Sequence, residues 1–136
     1  MSSATHDIGI QSVHDHVVNL VAERWATTMQ CTVTVNTPAR EHGWSTAERK
    51  YPDLIGLKTG PKGNLVEWIA EVETEESFSE LDAHGRWQDY TALGLRFYLF
   101  VPKGRGATAE FFASRAGARI NRIFEYSFVE EQFQLA

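Results

Sequence analysis

Two segments decide how this chain is read: Pro52-Asp-Leu-Ile-Gly-Leu57 and Leu65-Val-Glu-Trp-Ile-Ala-Glu-Val-Glu73. Both are short and apolar, and Lys58-Thr-Gly-Pro-Lys-Gly-Asn64 between them is dense in turn formers. The pair therefore predicts a β-hairpin. Residues two apart in a strand share a side of the sheet, so Glu71 and Glu73 project together with Cα atoms roughly 6.6 Å apart. Val66, Trp68, Ala70 and Val72 take the opposite, core side. The hairpin turn can bring Asp53, near the start of the first strand, opposite the two glutamates. At an effective dielectric near 20, two unit charges about 4 Å apart cost roughly 4 kcal/mol. A raised pKa, a basic neighbour or a bound cation must relieve such a cluster. Oxygen-only ligands suit a hard ion, so the expected ion is Mg2+ or Mn2+ held by one or two carboxylates. The competing reading makes Glu71, Glu73, Glu75 and Glu76 the solvated end of a strand.

Outward from the hairpin, Gln11 to Met29 reads as an amphipathic helix with Val13, Val17, Leu20, Val21 and Trp25 as its buried stripe and Ser12 as N-cap. Cys31 to Asn36 is β-branched and alternating, a strand. Thr37 to Lys50 reads as a loop. After the hairpin, Ser77 is the expected N-cap, with Glu80 at the capping-box position, of a helix running to about Leu93. Arg96 to Val101 (RFYLFV) is the nearly continuous apolar run of a central strand. Ala109 to Ala116 is a second helix closed by Gly117, and Ile120 to Phe128 the last strand. The predicted order is α-β-β-β-α-β-α-β: an α/β fold with a central mixed sheet of about 5 strands flanked by helices.

The chain has 136 residues, 43% of them hydrophobic and 12% aromatic, which suits a single domain over 1–136 with 1–10 as a flexible start. No apolar run approaches the roughly 20 residues that span a bilayer, and the first residues lack a signal-peptide pattern. One cysteine, Cys31, excludes an internal disulfide. A cytoplasmic protein without membrane association is expected. Net charge is −5, which argues against a coat for nucleic acid. Its distribution is uneven, however. Leu65 to Leu93 holds eight acidic residues against Arg86, and Arg96 to Arg122 holds six basic residues against Glu110. That split can set a cation site beside a phosphate-binding surface, or simply reflect solvated faces.

Pro52-Asp53, a gap of about 18 residues, and Glu71-Val72-Glu73-Thr74 closing an apolar strand resemble the signature of the PD-(D/E)XK, or restriction-endonuclease-like, nucleases. The order of elements from Gln11 to Val101 is also similar to that family's. The resemblance implies a metal-dependent nuclease hydrolysing phosphodiester bonds in DNA. Asp53 and Glu71 would be catalytic metal ligands, Glu73 a further ligand or base, and Glu23 on the first helix an additional ligand. Lys103, Arg105, Arg115 and Arg119 would hold nucleic acid, with Gln88 as a further contact. Small nucleases of this kind often act as homodimers. The chain departs from the motif at the lysine position, occupied here by Glu73. Lys58, Arg86 and Lys103 are the candidate replacements for its charge. The alternative is a catalytically inactive nuclease-fold module that binds nucleic acid or a protein partner in a larger complex.

Other motifs carry less. Gly56 to Gly63 lacks the Gly-Lys-Ser/Thr ending of a phosphate loop and lies between strands. His14 and His16 diverge by roughly 200° on a helix and cannot readily share a metal. All five histidines are read as having no special role. Lys103-Gly-Arg-Gly106 is either a phosphate contact or a plain basic turn. Trp44 anchors its loop or stacks on a base.

Overall fold

A mixed sheet divides the hydrophobic residues between its two faces, and the alternation along each strand dictates which side chain goes where. The computed structural model describes residues 3–36 and 52–136. The elements are α1 (Ser3–Thr28), β1 (Thr32–Val35), β2 (Leu54–Gly60), β3 (Gly63–Val72), β4 (Arg96–Pro102), β5 (Arg122–Val129) and β6 (Gln132–Leu135). Between β3 and β4 lies a helical segment, α2. It is α-helical over Glu80–Asp82, π-helical over Ala83–Trp87 and α-helical again over Gln88–Thr91. Helix α3 covers Gly106–Ala116 and stops at Gly117, whose φ of 69° is the left-handed C-cap that glycine adopts without strain.

The six strands lie in the order β1-β2-β3-β4-β5-β6. The first three pair antiparallel, β3-β4 and β4-β5 pair parallel, and β6 returns antiparallel on β5. Helix α1 covers one face, where Val17, Val18, Val21 and Trp25 pack on Leu54, Trp68, Ala70, Val72 and Phe100. Segment α2 and helix α3 cover the other, with Trp87, Tyr90, Ala109 and Ala113 on Ile55, Ile69, Phe97, Leu99 and Val101. Trp25 sits at the centre of an aromatic cluster. Trp68, Tyr98, Phe100 and Phe124 meet it edge-on, with centroids 5.0 to 5.3 Å away.

Several local expectations change. Helix α1 begins at Ser3, so Ser12 is interior and not its cap. Val13 is exposed and Leu20 half-buried, because the buried stripe is centred on Val17, Val18 and Val21. The hairpin is tighter than its turn formers suggest: β2 runs to Gly60 and β3 starts at Gly63. Pairing neighbours outweigh the low strand propensity of Lys58 and Gly60. Ser79, not Ser77, caps α2 by accepting from the Asp82 N–H. The sheet has six strands where about five were expected, because Gln132–Leu135 folds back on β5. The loop 37–50 and Trp44 lie outside the described residues.

That last hairpin is locally strained. Its two turn residues, Glu130 and Glu131, have φ of 50° and 67°. Such two-residue turns favour Asn-Gly, and side chains beyond glycine resist the left-handed region. Replacing the pair together (Glu130→Asn, Glu131→Gly) is expected to raise stability by about 1–2 kcal/mol. A urea midpoint equal to or below that of the wild type would contradict this account.

Candidate functional site

The hairpin expectation about the carboxylates holds in its main part. Leu54 pairs with Ala70, so Asp53 lies one step further on, opposite Glu71. The Asp53 backbone N–H donates to Glu71 Oε1 at 3.0 Å, and the Val72 N–H donates to Asp53 Oδ2 at 2.9 Å. Both side chains are buried, Glu71 to 1% exposure. Burial, then the charge of Asp53, raises the Glu71 pKa well above the carboxylate range, and Arg86 only partly opposes this. Two buried carboxylates side by side need compensation by a proton, a basic neighbour or a cation.

Glu73 does not join that pair. Ser77 Oγ donates to its Oε1 at 2.6 Å and Trp87 Nε1 donates to its Oε2 at 2.9 Å. The carboxyl is thus turned under α2, and its exposure is 2%. Burial raises its pKa to about 8, helped by the neighbouring Asp82 and opposed by the Ser77 and Trp87 hydrogen bonds. Glu23 is not brought to the site either. It is exposed on α1, nine residues or roughly 13 Å along the helix from the turn that touches Asp53. Among the described residues, no group of three or more His, Cys, Asp or Glu side chains is disposed to hold a metal ion.

The side chain that α1 does deliver is His14, which the sequence reading passed over. Its Nε2 lies 3.1 Å from Asp53 Oδ2 and its Nδ1 3.1 Å from Asp15 Oδ1. With a carboxylate at each nitrogen the ring is held as imidazolium. Burial opposes the charge, but Asp53 and then Asp15 outweigh it, and the pKa is pushed up to about 9. His16 points elsewhere and stacks on Phe128. No signal near His14 could have revealed its role, because its partner is 39 residues away. On the other face Arg86 Nη1 binds Glu71 Oε2 at 3.1 Å. Of the three cations considered for the missing lysine's charge, Arg86 is the one at this site. Lys58 pairs loosely with Glu67, at 3.9 Å.

These shifts give stability a pH dependence with a definite sign. In the folded state His14 holds its proton to about pH 9 against an ordinary 6.5, and Glu73 to about 8 against 4.5. The folded protein therefore binds more protons than the unfolded chain in both windows. Stability from His14 is complete below pH 6.5 and is lost as pH rises through 9, and that from Glu73 is lost through 8. The unfolding free energy should fall between pH 6.5 and 9, by up to about 1.4 kcal/mol per pH unit for each group still titrating, and the urea midpoint should fall with it. A midpoint that rises over this range would contradict the protonation states assigned here.

Two of the five predicted nucleic-acid-binding side chains, Arg105 and Arg115, are paired within the molecule. Arg105 forms a two-point bond with Glu75 (2.8 and 3.2 Å), and Arg115 binds Glu80 at 2.7 Å. The open amides of Lys103-Gly-Arg-Gly106 are also taken: Gly104 N–H and Gly106 N–H donate to the two oxygens of Glu125. The acidic and basic stretches thus face each other across the loop after β3. Exposed pairs of this kind are individually weak, of order 0–1 kcal/mol. Lys103, Arg119 and Gln88 are exposed.

Compared with known proteins, the chain matches no family model, no curated protein and no solved structure. No helix among the described residues is long and apolar enough to cross a membrane.

Proposed function

We propose that this chain is a restriction-endonuclease-like domain that hydrolyses phosphodiester bonds in DNA with a divalent cation, Mg2+ or Mn2+, at Asp53 and Glu71. The single observation that carries the reading is the placement of these two carboxylates, buried and adjacent across a hairpin. The surrounding order supports it: a helix, three antiparallel strands with the acidic pair on the second and third, a helix, then a parallel strand. A cation held there would polarise the phosphoryl group and supply a hydroxide. Asp53 and Glu71 would bind it, the Asp53 and Val72 N–H groups orient the two carboxylates, and Arg86 bring positive charge where the motif lysine is missing. Glu73, bound to Ser77 and Trp87, fixes the end of β3 against α2 and is not itself a ligand.

A second reading has its own observation. His14 and Arg86 already neutralise Asp53 and Glu71, and Arg105, Arg115 and the Gly104–Gly106 amides are satisfied internally. That arrangement suits a module whose carboxylates are structural and whose role is to bind a protein or nucleic-acid partner. Titrating Mg2+ and Mn2+ into the wild type by calorimetry, then screening duplex, branched and single-stranded DNA for cleavage, separates the two. Cation binding with cation-dependent cleavage supports the nuclease. Neither, in a folded protein, leaves the binding module.

A further inference from the structure

The sheet ends on β6, whose outer edge pairs with no strand. The Glu125 and Ala136 backbones exchange hydrogen bonds at 3.0 and 2.9 Å. Antiparallel positions alternate between bonded and unbonded, so Gln132 and Gln134 also face β5, while Phe133 and Leu135 turn their N–H and C=O groups outward. Among the described residues, one hydrogen bond reaches those outward groups: Arg24 Nη2 donates to the Phe133 carbonyl at 3.5 Å. A carbonyl has a second lone pair, so even that oxygen can accept another bond. Gln132 to Ala136 contains no charge and no proline, devices by which edges are commonly protected from pairing. We propose that this edge is the seam of a homodimer, in which β6 pairs antiparallel with β6 of a second copy about a two-fold axis at Gln134. The inference does not depend on whether Asp53 and Glu71 hold a cation.

Self-complementarity selects a second copy as the partner. With the axis at Gln134, Phe133 lies opposite the second copy's Leu135, and each gives the other's backbone a donor and an acceptor. The side chains match as well. Within one chain Phe128 pairs with Phe133 and Tyr126 with Leu135. All four lie on the face that carries α1: Tyr126, Phe133 and Leu135 belong to its apolar cluster, and His16 of α1 stacks on Phe128. Across the seam the row Phe128-Phe133 therefore continues into the second copy's Leu135 and Tyr126, and symmetry repeats it. Apolar side chains opposite one another on adjacent strands stabilise a sheet. On the other face Gln134 meets its own copy, uncharged against uncharged. The turn glutamates do not oppose the pairing, because the two copies of Glu131 are separated by about six residues, roughly 20 Å, beyond the Debye length. The turn also supplies a separate reason for it. Glu130 and Glu131 are held at φ of 50° and 67°, and such strain persists only where the surroundings impose it. Within one chain β6 is the short strand Gln132–Leu135, with both glutamines exposed, and a second paired side adds to its hold on the turn.

The test is sedimentation equilibrium over roughly 5 to 500 μM, on the wild type and on variants first checked for a cooperative melt. The wild type is expected to show a monomer–dimer equilibrium within that range, since so short a seam buries less than a standard interface. Leu135→Pro removes an N–H that faces away from β5, so the chain keeps its own ladder while the dimer is expected to weaken at least about tenfold. Gln134→Lys and Gln134→Glu alter a side chain that is exposed in one chain and place like charges together at the axis. Each alone is expected to dimerise more weakly than the wild type, and an equimolar mixture of the two about tenfold more tightly than either. A wild type that stays monomeric throughout overturns the proposal. So does a dimer that folded Leu135→Pro or the Gln134 variants leave unchanged, because its contact then lies elsewhere. A mixture no tighter than its separate components removes Gln134 from the axis and overturns it too. If Leu135→Pro fails to fold, the two Gln134 variants decide.

Discussion

Gly56→Ala is expected to destabilise the protein by about 3 kcal/mol, the upper end of overpacking costs. A Cβ at this position would sit 2.0 Å from Trp68 Cε2 and 2.2 Å from its Nε1. Gly56 is the cross-strand partner of Trp68, and the indole lies flat over it on the face covered by α1. The ring has nowhere to retreat, since Trp25 closes on it edge-on at 5.1 Å. The glycine is needed for space, not for an unusual backbone angle. A urea titration followed by tryptophan fluorescence measures the loss. Combining the change with Trp68→Leu should cost less than the two single losses added, because the smaller side chain frees the space. Losses that simply add would mean that the clash is not the cause.

Asp53→Asn is expected to abolish divalent-cation binding and to reduce cation-dependent cleavage at least about a thousandfold, while leaving the fold intact. The amide oxygen can still accept from the Val72 N–H, so β2 and β3 keep their contact. The charge is what disappears. Without it the Glu71 pKa should fall toward the ordinary range, since Asp53 is among the groups that raise it. His14 should fall from about 9 toward 6.5 for the same reason, with Asp15 alone left to hold its proton. Proton NMR of the imidazole follows that second shift independently of any activity. An Asp53→Asn protein that binds Mn2+ as the wild type does would remove Asp53 from the site, whatever its cleavage assay shows.

Much of the framework was legible in the residues. The alternation of Trp68, Ala70 and Val72 against Ile69 and Glu71 places them on opposite faces of β3, as strand periodicity requires. The apolar run from Arg96 to Val101 is covered on both sides. The approach of Asp53 to Glu71 followed from two strands and a short turn. Strand β6 was not legible: Gln132-Phe-Gln-Leu135 has little to pack by itself and becomes a strand because β5 offers it a free edge. The interruption of α2 was missed as well. Nothing in Ala83-His-Gly-Arg-Trp87 marks a π turn, which here carries the two side chains bonded to Glu71 and Glu73.

What the sequence determined by itself was periodic or local: the order of elements, the two-sided core and the pairing of carboxylates across the hairpin. Those follow from hydrophobic spacing and turn chemistry, which act over a few residues. The tertiary structure alone decided how each charge is compensated. His14 reaches Asp53 across 39 residues, Arg105 reaches Glu75 across 30 and Glu125 fills the Gly104 amide across 21. Coulomb attraction and hydrogen bonding depend on distance in space and carry no period along the chain. Of the uneven charges that suggested a phosphate surface, Arg105 and Arg115 are taken up by Glu75 and Glu80 once the chain is folded, and Glu73 becomes a buried acid held by Trp87 and Ser77.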